Sequence, residues 1–107
     1  MNIEDVNMKS YPFKDHQNLL NIPDQKVYPF HSDPKSTFGV WSCTEGEFYL
    51  HFDWIEHVYL LEGEVEVDRE DGSTIRLIPG DMATFLKNEK TTWRILQACK
   101  KIFTAVV

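Results

Sequence analysis

The stretch Phe48-Tyr49-Leu50-His51-Phe52-Asp53-Trp54-Ile55-Glu56-His57-Val58-Tyr59-Leu60-Leu61-Glu62-Gly63 decides how this chain is read. Its first part alternates, with Phe48, Leu50 and Phe52 on one side and Tyr49, His51 and Asp53 on the other. A period of two is that of a half-buried strand. Residues 55–62 are nearly apolar throughout, the pattern of a strand covered on both faces. Two residues interrupt it. Glu56 places a carboxylate among apolar neighbours, where an ionised group is costly until it finds a partner. Gly63 supplies backbone freedom at the point where the strand must bend.

Working outward towards higher numbers, residues 64–68 alternate acids with Val65 and Val67, which predicts a strand with its valines inward. Asp71-Gly72 predicts a two-residue hairpin turn, and residues 74–78 the return strand. Pro79-Gly80 fits a type II turn, with proline presetting the first φ and glycine supplying the positive second one. Residues 82–86 read as a strand, 87–90 as a polar loop, and 91–97 and 101–107 as two closing strands. Glu62, Glu64, Glu66 and Glu70 read as a solvated acidic face.

In the other direction, Thr44-Glu45-Gly46 marks a turn after a short run holding Phe38, Val40 and Trp41. Residues 1–36 contain Pro12, Pro23, Pro29 and Pro34, which interrupt helices and central strands. They read as an N-terminal arm packed on the main body, with a short helical turn over 14–20 and an edge strand over 27–30. Evenly spaced turns without an amphipathic helix spell an all-β antiparallel sandwich or barrel.

A chain of 107 residues predicts one domain. Its net charge of -6 lacks the basic footprint that nucleic acid or an anionic membrane surface requires. No apolar run reaches the length of a bilayer span, and residues 1–5 do not read as a secretory signal, so a cytoplasmic location is expected. Two cysteines, Cys43 and Cys99, are then expected as reduced, buried thiols. No glycine-rich phosphate loop, Cys-x-x-Cys pair or Ser-His-Asp ordering is present.

The run from Glu56 to Gly63 resembles the end of the first cupin motif, and Pro79-Gly80-Asp81 followed by a strand resembles the second. Gly39-Val40-Trp41-Ser42-Cys43-Thr44 and Thr92-Trp93 are similar to one cupin subgroup, the ureidoglycine aminohydrolase-type and ethanolamine-utilisation cupins. The resemblance covers residues 37–107 and implies a double-stranded β-helix, or jelly-roll, barrel. It is specific for the fold; function is carried by the site rather than by the fold.

Cupin metal sites take three histidines and a glutamate. The resemblance puts that glutamate on Glu56 and one histidine on His51. The other two histidine positions fall on Tyr49 and Thr91, so two usual ligands are substituted. Two protein ligands are few for a transition ion, and no metal or other cofactor is assigned. A divalent metal would need Tyr49 or another loop to complete its shell. His57 follows Glu56 directly and alternation sends it to the opposite face.

The expected pocket residues are Tyr49, His51, Glu56, Thr91, Trp93 and Trp41, with Glu56 the candidate acid or base. Over Tyr49 and His51 two readings compete. Alternation turns both outward, away from Phe48, Leu50 and Phe52, whereas the family register turns them inward, and the register is followed here. The tryptophans serve either as a stacking wall or as core. Two functions follow: a small-molecule-binding cupin without a full metal site, or an aminohydrolase- or isomerase-like enzyme acting on a small polar substrate through Glu56. The face bearing His57, Tyr59 and Leu61 is expected to be covered by a second copy in a homodimer.

Overall fold

A computed structural model describes residues 2–10, 19–21 and 23–107. Among these described residues nine strands follow in order: β1 (Lys9–Ser10), β2 (Leu19–Asn21), β3 (Gln25–Ser32), β4 (Ser36–Cys43), β5 (Gly46–His51), β6 (Ile55–Asp68), β7 (Thr74–Leu77), β8 (Met82–Phe85) and β9 (Lys90–Val106). Every pairing is antiparallel. The result is a small all-β barrel of jelly-roll type, with no α-helix among the described residues. Among the described residues no helix is long and apolar enough to cross a membrane.

Two long strands organise the rest. β9 pairs with β6 along one edge; along the other it pairs first with β5 and then with β4. β6 in turn takes β8 on its first half and β7 on its second. The sequence divides each long strand in two, at Gly63 and near residue 99, but the structure bends each through bulges without ending it. Register shifts cluster between Leu60 and Val65. Gly63 lies at their centre with φ 91°, and a Cβ there would stand 2.4 Å from the Ala98 carbonyl oxygen. Only glycine meets both demands without strain.

The other turns follow their residues. Ile78 accepts a hydrogen bond from the Asp81 N–H at 2.9 Å, with Gly80 at φ 97°, as the type II reading requires. The Asp71-Gly72 hairpin differs in detail. Gly72 alone has positive φ, and the Arg69 N–H donates to the Ser73 carbonyl at 2.7 Å. The loop therefore has three residues, a tight turn followed by a left-handed glycine, in place of the two-residue turn. Three of the four acids on the expected solvated face pair with bases: Glu62 with Lys100, Glu64 with Arg76 and Glu66 with Arg94.

Residues ahead of Thr37 contribute β1, β2 and β3 to the sheet, and β3 runs along β4 from Gln25↔Cys43 to Ser32↔Thr37. Of the helical turn expected over 14–20, residues 14–18 lie outside the described residues, and Leu19 and Leu20 are extended. His16 and Pro12 also lie outside them. The core gathers Phe48, Phe52, Val65, Val67, Phe85, Trp93 and Ile95. β6 is covered on one face only. Glu56, Val58 and Leu60 are buried, while Ile55, His57 and Tyr59 are exposed beside Met82 of β8. Hydrophobic demand was thus overstated for this strand: within one chain its second face meets solvent.

Candidate functional site

Glu56 is the second residue of β6 and shares inner parity with Val58 and Leu60, so its carboxylate enters the barrel, where it is 5% exposed. Lys101 reaches the same point from β9. Its strand neighbours are Leu60 on one side and Trp41 on the other, which fixes its inward direction. The Lys101 ammonium donates to Glu56 Oε2 at 2.7 Å. Trp54 Nε1 donates to Glu56 Oε1 at 2.9 Å. The ammonium also lies 4.4 Å from the Trp41 ring centroid and 4.6 Å from that of Trp93. Trp41 is held in turn by Gln25, whose Oε1 accepts from its Nε1 at 2.6 Å.

This arrangement follows from the cost of burying charge. Each ion taken out of water loses several kcal/mol of hydration, about what a close and fully hydrogen-bonded partner returns. A desolvated cation over an indole face gains roughly 2 kcal/mol more. Lys101 has one carboxylate and two indole faces as partners. Glu56 has a donor on each oxygen.

Above the pair opens a cavity of ≈ 450 Å³. Trp41, Phe48, Leu50, Trp54 and Phe103 wall it, and Glu56 and Lys101 close its floor. Asp53 and the β3–β4 turn, with Asp33 and Ser36, form its exposed margin. The Asp33 carboxyl is held down at about 2, first by the His31 ring 2.7 Å away and then by the Lys35 and Ser36 N–H groups. Cys43 and Cys99 lie deeper, directly opposite one another across β4 and β9, both buried and free. Burial pushes the Cys43 thiol up to about 12 and the Cys99 thiol to about 11, so neither is a ready nucleophile.

Of the residues expected in the pocket, the structure brings Glu56 and Trp41 together on its lining. Thr91 and Trp93 point inward as their parity demands, but they pack behind it. Trp93 stacks on Phe48 with centroids 6.1 Å apart and donates to Thr91 Oγ1 at 2.9 Å. Trp93 reaches the site through its contacts with Lys101, Trp41 and Phe48. Tyr49 and His51 are corrected: both are exposed on the outer face of β5, Tyr49 by 38%. Phe48, Leu50 and Phe52 take the inner positions, so burying aromatic and aliphatic area decided the register. Glu56, His51 and Trp93 therefore share no hollow. Lys101 and Gln25 belong to the site and were not singled out from the sequence, whereas Trp54, which the sequence leaves between stacking wall and core, lines the cavity. Lys101 had a legible signal, since it stands at the inner parity of Cys99, Phe103 and Ala105.

These positions do not suit a transition ion. Both Glu56 oxygens are engaged by donors, His51 faces the other way, and no group of three or more His, Cys, Asp or Glu could hold an ion among the described residues.

A family model described as EutQ-like cupin domain matches residues 31–103. The chain belongs to that family. No curated protein matches this cupin. Among solved structures, the EutQ protein of Clostridium difficile superposes with a TM-score of 0.70 at 14% identity, covering 78% of this cupin and 68% of that chain. A DUF861 family protein from Thermotoga maritima is 35% identical, with a TM-score of 0.59 and coverage of 62% and 75%. A DUF861 protein of unknown function from Pseudomonas syringae reaches a TM-score of 0.84 at 19% identity, covering 95% of this cupin and 45% of that chain. The likenesses under a quarter identical establish the fold and nothing finer.

Proposed function

We propose that this cupin binds a small molecule in its barrel without a metal, acting as a sensor or accessory protein. The observation that carries this reading is the ≈ 450 Å³ cavity, walled by aromatic rings and floored by the Glu56–Lys101 pair. Concave, mostly apolar sites with a few placed polar groups are the usual form of ligand pockets. An ammonium at the carboxylate supplies the positive charge that an ion would otherwise bring. Native mass spectrometry and elemental analysis of protein purified from cells without chelator test the reading. The expected result is a retained metabolite with no stoichiometric transition metal; stoichiometric metal, or an empty chain with no ligand found from extract, counts against it.

A second reading is enzymatic, and the 2.7 Å contact favours it specifically, because a lysine and a glutamate so placed can pass a proton to and from a bound substrate. Under it Glu56→Gln abolishes turnover of the retained metabolite; under the binding reading no turnover exists to lose. We also propose a cytoplasmic homodimer. The exposed Ile55, Tyr59 and Met82 lie on paired strands, and a second copy would cover them. Light scattering at micromolar concentration should give twice the chain mass.

A further inference from the structure

We infer that the ligand of this cavity is an organic cation, an ammonium or guanidinium compound. The inference rests on the binding reading above and names the chemical class of what binds. It comes from counting what the site has left unspent. The strong donors are committed: the Lys101 ammonium to Glu56 and to two indole faces, Trp54 Nε1 to Glu56, and Trp41 Nε1 to Gln25. The margin's hydroxyls are committed too, Ser36 to Asp33 and Ser32 to Thr37.

What remains among the described residues is acceptor capacity, ring surface and the uncharged N–H groups of the Gln25 amide, whose oxygen alone is engaged. Each Glu56 oxygen takes one hydrogen bond from Lys101 or Trp54 and keeps a second lone pair. Asp53 lines the cavity and has no ion-pair partner among the described residues. Asp33 adds negative charge at the margin, although its oxygens are already engaged by the His31 ring and by the Lys35 and Ser36 N–H groups. Among the described residues, three carboxylates therefore line the cavity against one ammonium. Around them stand Trp41, Trp54, Phe48 and Phe103, whose ring faces are negative and attract a cation. An anion would enter a field of the wrong sign and find its one cationic partner already neutralised.

The experiment is calorimetric titration of the full chain with four probes: tetramethylammonium, butylguanidinium, the neutral neopentyl alcohol and the anionic pivalate. At least one cation should bind saturably, about tenfold or more tighter than the neutral and anionic probes, as expected if ring and carboxylate terms add roughly 1.4 kcal/mol. Asp53→Asn should weaken the cation several-fold while the thermal melt stays in place, since Asp53 is exposed and unpaired. Pivalate binding at least as well as the cations overturns the inference and makes Lys101 the anchor. Equal binding of the neutral probe overturns it in favour of the rings alone. Binding by none of the four also overturns it. The binding reading is judged separately, by whether native mass spectrometry finds a retained metabolite of any charge.

Discussion

The two halves of β9 face the same interior and do opposite things. In the first half Thr91, Trp93 and Ile95 point inward and pack against Val65, Val67 and Phe48 in the core. In the second half Cys99, Lys101, Phe103 and Ala105 point inward and leave a hollow with an ion pair at its floor. Strand type, hand and pairing partner β6 are common to both. What differs is side-chain volume and charge. Solid packing returns the most stability per residue, whereas a hollow with satisfied polar groups returns little and leaves room for something else.

The sharpest way to break this contrast is to truncate one aromatic in each half. Phe52→Ala, which removes a fully buried ring stacked on Phe85 at 4.9 Å, should cost about 3–5 kcal/mol in urea denaturation. Phe103→Ala, on the cavity wall, should cost clearly less, because its ring already lacks neighbours on one side. Equal costs would mean the hollow is packed in solution.

The ion pair is the next point of attack. Lys101→Met strands the Glu56 carboxylate, and breaking such a pair costs about 3–5 kcal/mol. The double variant Lys101→Met, Glu56→Gln should recover most of that loss. A double variant no better than the single one would show that the pair is not what Lys101 provides. Between the halves, Gly63→Ala places a methyl against the Ala98 carbonyl at positive φ, and should cost about 2 kcal/mol or more.

The smallest effect belongs to the surface of the solid half. Arg94 holds Asp68 at 2.7 Å and, with the Thr74 hydroxyl, keeps its carboxyl down at about 2 from an ordinary 3.8. The folded value lies below the unfolded one, so the stabilisation is complete above about pH 4 and is lost as pH falls through 2. Denaturant melts of wild type should weaken over that window by more than those of Asp68→Asn. Identical acid limbs would remove Asp68 from the account.

How legible this was depended on which force set each feature. Alternation and turn residues revealed the barrel because they are local: Phe48, Leu50 and Phe52 declare their own face, and Pro79-Gly80 its own turn. Glu56 was legible as a carboxylate set among Ile55, Val58 and Leu60. Lys101 showed only its parity with Cys99 and Phe103, which does not by itself reveal burial, because lysines in strands commonly run their stems along apolar surface and reach water. Its burial depends on Glu56, 45 residues away, and on indoles from two other parts of the chain. Tyr49 and His51 were misplaced when a register taken by resemblance outweighed the chain's own alternation. Gln25 went unseen because its role exists only once β3 lies beside Trp41.

The length of β9 also governs how the molecule assembles. Its residues pair with positions far back along the chain, Val106 with both Ser36 and Ile55, and Trp93 with Phe48. Such contacts return nothing until long loops have closed, and topologies of this sort reach the native state in milliseconds to seconds, slower than helical ones of equal size. Until β9 docks, β4, β5 and β6 each display a naked edge, and that interval is when this chain is most open to sticking to its neighbours.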